Sequence, residues 1–69
     1  MCMAFPGRVV CVEKNKAVVD FLGEKREADC SLVKCNKGDY VVVNAGFVVE
    51  IVPEKQAIEA IELFKNANT

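Results

Sequence analysis

The sequence predicts a small, mainly β domain, a closed barrel or sandwich of about five strands that is followed by one C-terminal helix. Short runs rich in Val and Ile alternate with turn residues at intervals of about eight to twelve residues, which is typical of small all-β folds. After Pro53 the pattern changes, and apolar residues recur at helical spacing as Ala57, Ile58, Ile61 and Phe64. These two observations set the fold class.

Four segments are predicted to be strands because they are rich in β-branched residues and lie between turn signals. They are residues 7–12, 17–21, 40–43 and 47–52. The first two are expected to pair antiparallel, because the polar tip between them is too short for a crossover. The charged residues 24–29 are predicted to form a solvated third strand or strand edge. Residues 30–35 are short and mixed in character, and their pattern does not decide between helix, strand and loop.

The helix is predicted over residues 54–66, within a single domain that spans residues 1–69 and whose barrel covers about residues 4–52. Pro53 has the fixed φ that suits a first helical turn, and Glu54 suits the positive end of the helix dipole. The apolar stripe of the helix is narrow. We expect it to pack back on the barrel, with the docking of a partner on this stripe as the alternative.

The composition disfavours several classes of partner. Nine basic and ten acidic residues give a net charge of −1 and a pI of about 5.3, whereas a nucleic-acid binder usually has a basic face. No apolar run approaches the ~20 residues that span a bilayer, and residues 1–5 do not resemble a secretory signal. The sequence therefore predicts a cytoplasmic protein with neither nucleic acid nor membrane as its partner.

The chain carries no catalytic group in a recognisable arrangement. It has no histidine, and Ser31 and Thr69 are its only serine and threonine, neither of them in a nucleophile elbow. A domain of 69 residues also has little room for a pocket of the roughly 300–1,000 Å³ that a small-molecule site needs. We therefore predict an accessory protein rather than an enzyme.

The four cysteines are the remaining candidates for chemistry. Their spacing includes no Cys-x-x-Cys pair, which disfavours a zinc site, and a reducing compartment disfavours disulfides. Cys11 lies in an apolar strand and is expected to be a small buried side chain, and Cys30 and Cys35 are expected to be packing residues. Cys2 would become the N-terminus once Met1 is removed. Its thiolate, favoured by the adjacent ammonium, could then chelate a soft or borderline metal together with the α-amine.

Two blocks of the sequence, with a shorter segment between them, match a known pattern. They are Met-Cys-Met-Ala-Phe-Pro-Gly-Arg-Val-Val (residues 1–10), Val-Asp-Phe-Leu-Gly (residues 19–23) and Gly-Asp-Tyr-Val-Val-Val-Asn-Ala-Gly-Phe (residues 38–47). Together they resemble the HypC/HybG/HupF family of nickel–iron hydrogenase maturation chaperones, and the resemblance covers essentially the whole chain. The motif positions of the last block are Gly38, Asp39, Tyr40, Asn44, Gly46 and Phe47. The family commonly has His where this chain has Asn44, and Met3 and Phe5 are bulkier than the family's usual aliphatic residues.

The resemblance implies an OB-like five-stranded barrel with a C-terminal α-helix, and a role without catalysis. It implies binding to a HypD-type iron–sulfur scaffold protein, on which iron acquires cyanide and carbon monoxide ligands, and to the precursor of the hydrogenase large subunit. Cys2 would contact the iron or the partner's site. The free protein would hold no cofactor tightly, and iron with its ligands would be bound only transiently. The strip of apolar residues that would bind the partner is Met3, Ala4, Phe5 and Pro6.

Two other functions remain open from the sequence. An OB-type module could bind single-stranded nucleic acid through stacked aromatic side chains in a basic groove, although this chain has only five aromatic residues and a balanced charge. A small metalloprotein could instead use all four cysteines, in which case one metal ion per chain would be lost only on unfolding.

Overall fold

The computed structural model describes residues 5–67 and confirms the mainly β fold class, with five strands and one helix. The elements are β1 (Gly7–Glu13), β2 (Lys16–Phe21), β3 (Glu24–Asp29), β4 (Tyr40–Asn44), β5 (Phe47–Val52) and α1 (Glu54–Ala67). Each lies within one or two residues of its predicted position. The segment between β3 and β4, whose structure the sequence leaves open, contains neither helix nor strand.

The five strands form a closed barrel in the order β1-β2-β3-β5-β4, which is an OB-like arrangement. Neighbouring strands are antiparallel except β3 and β5, which are parallel and meet only where Asp29 pairs with Phe47. On the other side, β1 pairs with β4 through Gly7 and Arg8. The barrel is therefore closed by pairings of only one or two residues, while the longer pairings of β1 with β2, β2 with β3 and β4 with β5 make up most of its wall.

Two hairpins depend on residues in the left-handed region of the backbone. Leu22 and Gly23 join β2 to β3 with φ angles of 52° and 98°, and Ala45 and Gly46 join β4 to β5 with φ angles of 55° and 83°. Two successive residues of positive φ give a turn whose twist matches that of the flanking strands. The sequence predicts this conformation for Gly23 but not for the two non-glycine residues beside the glycines.

The prediction that Cys11 is buried is wrong, because the register of β1 changes beside it. Val9 pairs with Val19, but Cys11 pairs with Val18, so that Val10 is an extra residue in a β-bulge. Val19 is fully buried, whereas Val18 lies on the outer face of the barrel wall. The bulge therefore turns Cys11 outward, and its side chain is exposed.

The core is made of small and medium apolar side chains, as the scarcity of aromatic residues indicates. Its four largest fully buried side chains are Val9, Val19, Val41 and Val48. The helix packs back on this core through Ala57, which is fully buried, and through the partly buried Ile61 and Phe64. Ile58, the fourth residue of the predicted stripe, remains 43% exposed. Within residues 5–67, no helix is long and apolar enough to cross a membrane.

Gly7 is buried at the start of β1 and lies against the ring of Phe21. A Cβ added at this position would lie 2.6 Å from Cε1 of Phe21 and would also overlap Cγ1 of Val19. We expect Gly7→Ala to lower the free energy of unfolding by about 1–3 kcal/mol, as is usual for overpacking. Thermal unfolding would show this as a fall in the midpoint of at least about 4 °C. Lys55→Ala, on the exposed side of α1, is the control, and an equal midpoint for both variants would contradict the close packing.

Candidate functional site

Phe5, the first described residue, is packed against both the barrel and the helix. The Phe5 ring is 8% exposed and packs against Phe21 of the barrel, with ring centroids 6.0 Å apart and ring planes at 77°. On its other side it contacts Phe64 of α1, with centroids 4.4 Å apart. Edge-to-face and tilted aromatic pairs of this kind stabilise beyond the apolar area that they bury. Phe5 therefore connects the N-terminal segment, the barrel and the helix.

The chain enters the barrel immediately after this anchor. Pro6 and Gly7 are both buried, and Gly7 begins β1 where it pairs with Val41 of β4. Pro6 has a fixed φ, and Gly7 has no side chain, which allows the backbone to approach Phe21 closely. The direction of the chain at this point is thus set by packing on both sides.

Three of the predicted site residues, Cys2, Met3 and Ala4, lie outside the described residues. The predicted thiol site and its contact with iron therefore stay predictions. Covalent geometry alone limits the Cα atom of Cys2 to at most about 11 Å from that of Phe5, because only three peptide units join them. Phe5 and Pro6, the other two members of the predicted apolar strip, are buried in this structure, and their contact with a partner also stays a prediction.

The Gly38, Asp39 and Tyr40 part of the family motif holds the loop before β4 against β1. The amide of Gly38 donates to the carbonyl of Val9, and the amide of Val9 donates to the carbonyl of Asp39, both at 2.8 Å. Gly38 has a φ of 94°, which favours glycine. Tyr40 pairs with Arg8. The motif therefore supports the strand that follows the N-terminal anchor.

Asp39 also closes the turn that precedes it. Its Oδ2 accepts a hydrogen bond from the amide of Asn36 at 2.8 Å, while its own amide donates to the carbonyl of Asn36 at 3.0 Å. These bonds fix the turn over residues 36–39, which the sequence marks as the strongest turn signal in the chain.

We expect Asp39→Ala to lower the free energy of unfolding by about 1 kcal/mol, because the amide of Asn36 would lose its acceptor. Asp39→Asn keeps an oxygen acceptor at the same place and is the matched control, with a smaller expected loss. Urea unfolding of the three proteins measures the difference. If Asp39→Ala unfolded at the wild-type midpoint, the turn would not depend on this carboxylate.

The remaining motif positions lie at the other end of β4. Asn44 is exposed and pairs with Phe47 across the β4–β5 hairpin, and Phe47 is 39% exposed. The carbonyl of Gly46 accepts a hydrogen bond from the amide of Asp29 at 2.8 Å. Since Asn44 follows Val41 by three strand residues, it lies about 10 Å along β4 from the pairing with Gly7. The structure thus separates Asn44 from the base of the N-terminal segment.

The barrel surface does not offer a stacking platform for nucleic acid. Of the five aromatic side chains, Phe5 and Phe21 are buried, Tyr40 and Phe64 are half-buried, and only Phe47 is exposed. The charges on β2 and β3 neutralise one another locally, since Arg26 pairs with Glu24 at 2.6 Å and Lys16 pairs with Glu27 at 3.8 Å. These features are the opposite of a basic groove lined by aromatic rings.

The three described cysteines do not form one metal site. Cys11 faces solvent, whereas Cys30 and Cys35 are buried in the core, as their predicted packing role requires. Among residues 5–67, no three side chains of Cys, Asp or Glu lie close enough together to hold a metal ion. The arrangement therefore does not favour a metalloprotein that uses all four cysteines.

The sequence does not reveal the role of two residues that define the anchor. Periodicity places Phe64 in the helix stripe without indicating its partner, and the β-branched run predicts Gly7 only as the start of a strand. The contact of Phe64 with Phe5 joins positions near the two ends of the chain, so local periodicity holds no signal for it. The Pro-Gly pair before a β-branched run is the one local sign that the backbone is constrained there.

Comparison with known proteins gives a family match over most of the chain. The family model described as HupF/HypC family matches residues 1–64. The hydrogenase maturation factor HypC of Helicobacter hepaticus is 40% identical over 68 residues, which cover 94% of this chain and 79% of that protein. The factors of the same name from Synechocystis and Escherichia coli K12 are 35% and 30% identical, over 88% and 96% of this chain and 90% and 81% of theirs. The matched residues include the N-terminal segment, the barrel and most of α1.

Proposed function

The chain belongs to the HupF/HypC family, and on this premise we propose that it is a hydrogenase maturation factor that acts as a carrier-chaperone. Its proposed partners are a HypD-type iron–sulfur scaffold protein and the precursor of a nickel–iron hydrogenase large subunit. Its proposed cargo is iron that carries cyanide and carbon monoxide ligands. The family match and the identity of 30–40% to maturation factors named HypC support this role.

The single observation that supports a role for the N-terminus is its anchorage by Phe5. The side chain of Phe5 is held between Phe21 and Phe64, and Cys2 precedes it by only three residues. The thiol is therefore tethered to a folded platform within a short reach, about 11 Å from Cα to Cα. A short tether of this kind restricts the volume that the thiol can search and lowers the entropy that is lost when it binds a partner.

The chemistry of Cys2 suits a transient iron ligand. Once Met1 is removed, an ammonium group with a reference pKa of about 8 lies on the same residue as the thiol and favours the thiolate. A thiolate donates an electron pair to a soft or borderline metal ion. In the proposed transfer, iron leaves the Cys2 sulfur when ligands of the large subunit replace it, so the iron is cargo and not a resident cofactor.

The rest of the chain positions this thiol and takes no chemical part. The domain has no histidine, and Asn44, which replaces the family's usual His, can donate and accept hydrogen bonds but does not titrate near neutral pH. We accordingly propose an accessory role without catalysis. We place it in the cytoplasm, because a free thiol at Cys2 requires a reducing compartment.

Affinity isolation from the native host tests the proposed partners. The baits are the wild-type chain, Cys2→Ala, and Cys11→Ala as a control that removes the one exposed cysteine among the described residues. We expect the wild type and Cys11→Ala to recover the scaffold protein and the large-subunit precursor, and Cys2→Ala to recover at least about tenfold less scaffold, a difference of about 1.4 kcal/mol. Equal recovery of scaffold with Cys2→Ala would refute the role of the thiol. Recovery of neither partner with the wild type would refute the proposed partners.

A further inference from the structure

One outer face of the barrel is mainly apolar. Along β4 the side chains alternate, with Val41 and Val43 in the core and the others turned outward. Residues that pair across antiparallel strands point to the same face, so the register of β4 with β5 identifies the outer residues of β5. The residues of this β4–β5 face are Tyr40, Val42, Asn44, Phe47, Glu50 and Val52. None of the six is buried, and four of them are apolar.

The outer face of β2 and β3 has the opposite character. By the same rule, its residues are Lys16, Val18, Asp20, Lys25, Glu27 and Asp29. Only Val18 among them is apolar, as is usual for the solvated side of an antiparallel sheet. The β4–β5 face departs from this pattern, and an exposed apolar patch with polar neighbours is typical of a contact with another protein.

Two charged side chains lie at opposite edges of the β4–β5 face. Arg8 of β1 pairs with Tyr40 and therefore shares this face, and Glu50 lies on the far side of β4, opposite Val42. Both are exposed, and within residues 5–67 neither is in an ion pair. Two strand spacings and one step of two residues separate them, which places their Cα atoms about 12 Å apart. The face thus carries an unpaired positive charge at one edge and an unpaired negative charge at the other.

We infer that the β4–β5 face is the interface of a symmetric dimer, in which a second copy of this chain covers it. A two-fold interface brings the same patch of both copies together, so the patch must be complementary to itself. When the two-fold axis runs along β4, each outer residue of β4 meets its own equivalent. Each residue on the β1 side then meets the β5 side of the second copy.

The residues on this axis are compatible with their own equivalents. Tyr40, Val42 and Asn44 are all uncharged, so none of them repels its equivalent in the second copy. Two Val42 side chains form an apolar contact at the centre. An asparagine amide both donates and accepts, so two Asn44 side chains can form a hydrogen bond with each other.

The charges at the edges are complementary in the same arrangement. Arg8 lies over Val52 of the second copy, because the two occupy equal distances from the axis in the same row of the sheet. From there Glu50 of the second copy is one step of two residues away, about 7 Å, which the long side chain of arginine spans. The symmetry forms this ion pair twice. The net charge of −1 per chain adds little repulsion between the copies.

The size of the face indicates a weak, reversible dimer. Three strands and about five residues of length measure about 14 by 17 Å, and the projected area of about 240 Å² per copy is well below the roughly 800 Å² of accessible surface that each partner buries in a standard interface. We therefore expect a dissociation constant between about 10 μM and about 1 mM.

Sedimentation equilibrium of the full-length chain, in a buffer with dithiothreitol to prevent intermolecular disulfides, tests the dimer. As the concentration rises from about 10 μM to about 2 mM, the weight-average mass should rise from 7.6 kDa towards twice that value. Arg8→Glu and Glu50→Arg should each raise the dissociation constant at least about tenfold, because each places like charges opposite one another. An equimolar mixture of these two variants should recover the wild-type association, since both ion pairs can form again between unlike copies.

Lys25→Glu is the matched control for Arg8→Glu, because it changes the net charge equally on the outer face of β3 and should leave the dissociation constant unchanged. Val42→Lys, at the centre of the face, should abolish association, while Val18→Lys on β2 should not. Circular dichroism checks that each variant is folded, and the charge variants decide the outcome if Val42→Lys does not fold.

Three results would overturn the inference. The first is a wild-type chain that stays monomeric up to about 2 mM, even one that binds a different protein through this face. The second is an equal loss of association with Lys25→Glu and Arg8→Glu, and the third is a mixture of the two charge variants that does not associate. The experiment involves neither hydrogenase nor iron, so its outcome is independent of the proposed function.

Discussion

Cys2→Ala should abolish hydrogenase maturation while leaving the barrel folded. Alanine is small enough to allow removal of Met1, so the variant keeps the α-amine and loses only the sulfur. The described core is made of Phe5 and later residues, and we expect the barrel to fold without the Cys2 sulfur. We expect hydrogenase activity in cells that produce only this variant to fall to the background level of cells without the chain. We expect the thermal unfolding midpoint to stay within about 2 °C of the wild type.

The matched control for this experiment is Cys11→Ala. Cys11 is exposed on the outer face of β1, so its sulfur is accessible but lies on the barrel wall. Full maturation with Cys11→Ala and none with Cys2→Ala would assign the effect to the N-terminal thiol. Full maturation with Cys2→Ala would show that the sulfur is dispensable.

Phe5→Ala should have the largest effect on stability. Phe5 contacts both Phe21 in the barrel and Phe64 in the helix. One substitution at Phe5 therefore removes both of these contacts. Substitutions of this type cost about 3–5 kcal/mol, and a domain of this size has a free energy of unfolding of roughly 3–10 kcal/mol. We expect a large fall in the urea midpoint, and a chain that is partly unfolded at 37 °C.

Leu63→Ala provides the comparison within the helix, because Leu63 is 70% exposed and its truncation should change the free energy of unfolding by less than about 0.5 kcal/mol. Phe5→Leu keeps most of the apolar volume and should lie between Phe5→Ala and the wild type. A wild-type midpoint for Phe5→Ala would mean that the N-terminal segment is not anchored as the structure shows.

Most of the fold could be predicted from the sequence because its local signals agree with its tertiary structure. The runs of Val and Ile over residues 40–43 and 47–52 are so short between their turns that only a strand fits each of them. Pro53 separates these strands from the helix. The charged third strand is also found as predicted, because its outer positions face solvent while Ala28 alone packs inward. Agreement between pattern and environment of this kind makes an element predictable.

The error at Cys11 has a specific cause. An apolar strand with alternating positions places residues 9 and 11 on the same face, and nothing in the sequence of residues 9–11 marks the extra residue at Val10. β-Bulges increase the local bend and twist of a strand, which a small barrel needs to close. The position of such a bend depends on the neighbouring strands, so one strand read by itself does not reveal it.

The candidate site could be predicted only in part. The prediction that Cys2 is a functional residue depends on the resemblance of residues 1–10 and 38–47 to a family. The structure adds a physical reason for the second block, since Gly38 and Asp39 hold the loop against β1 directly after the anchor. The structure also places Asn44 at the opposite end of β4 from the pairing with β1. The sequence could not show this separation, because one continuous motif runs through both ends of β4.

The most direct test of the central claim is the hydrogenase activity of the native host with and without this chain. A strain from which the gene is deleted should lack activity of at least one nickel–iron hydrogenase and should accumulate its large-subunit precursor. A plasmid copy of the wild-type chain should restore both the activity and the processing of the precursor. The same hydrogenase activity in the deleted and the restored strain, for every nickel–iron hydrogenase of the host, would contradict the account.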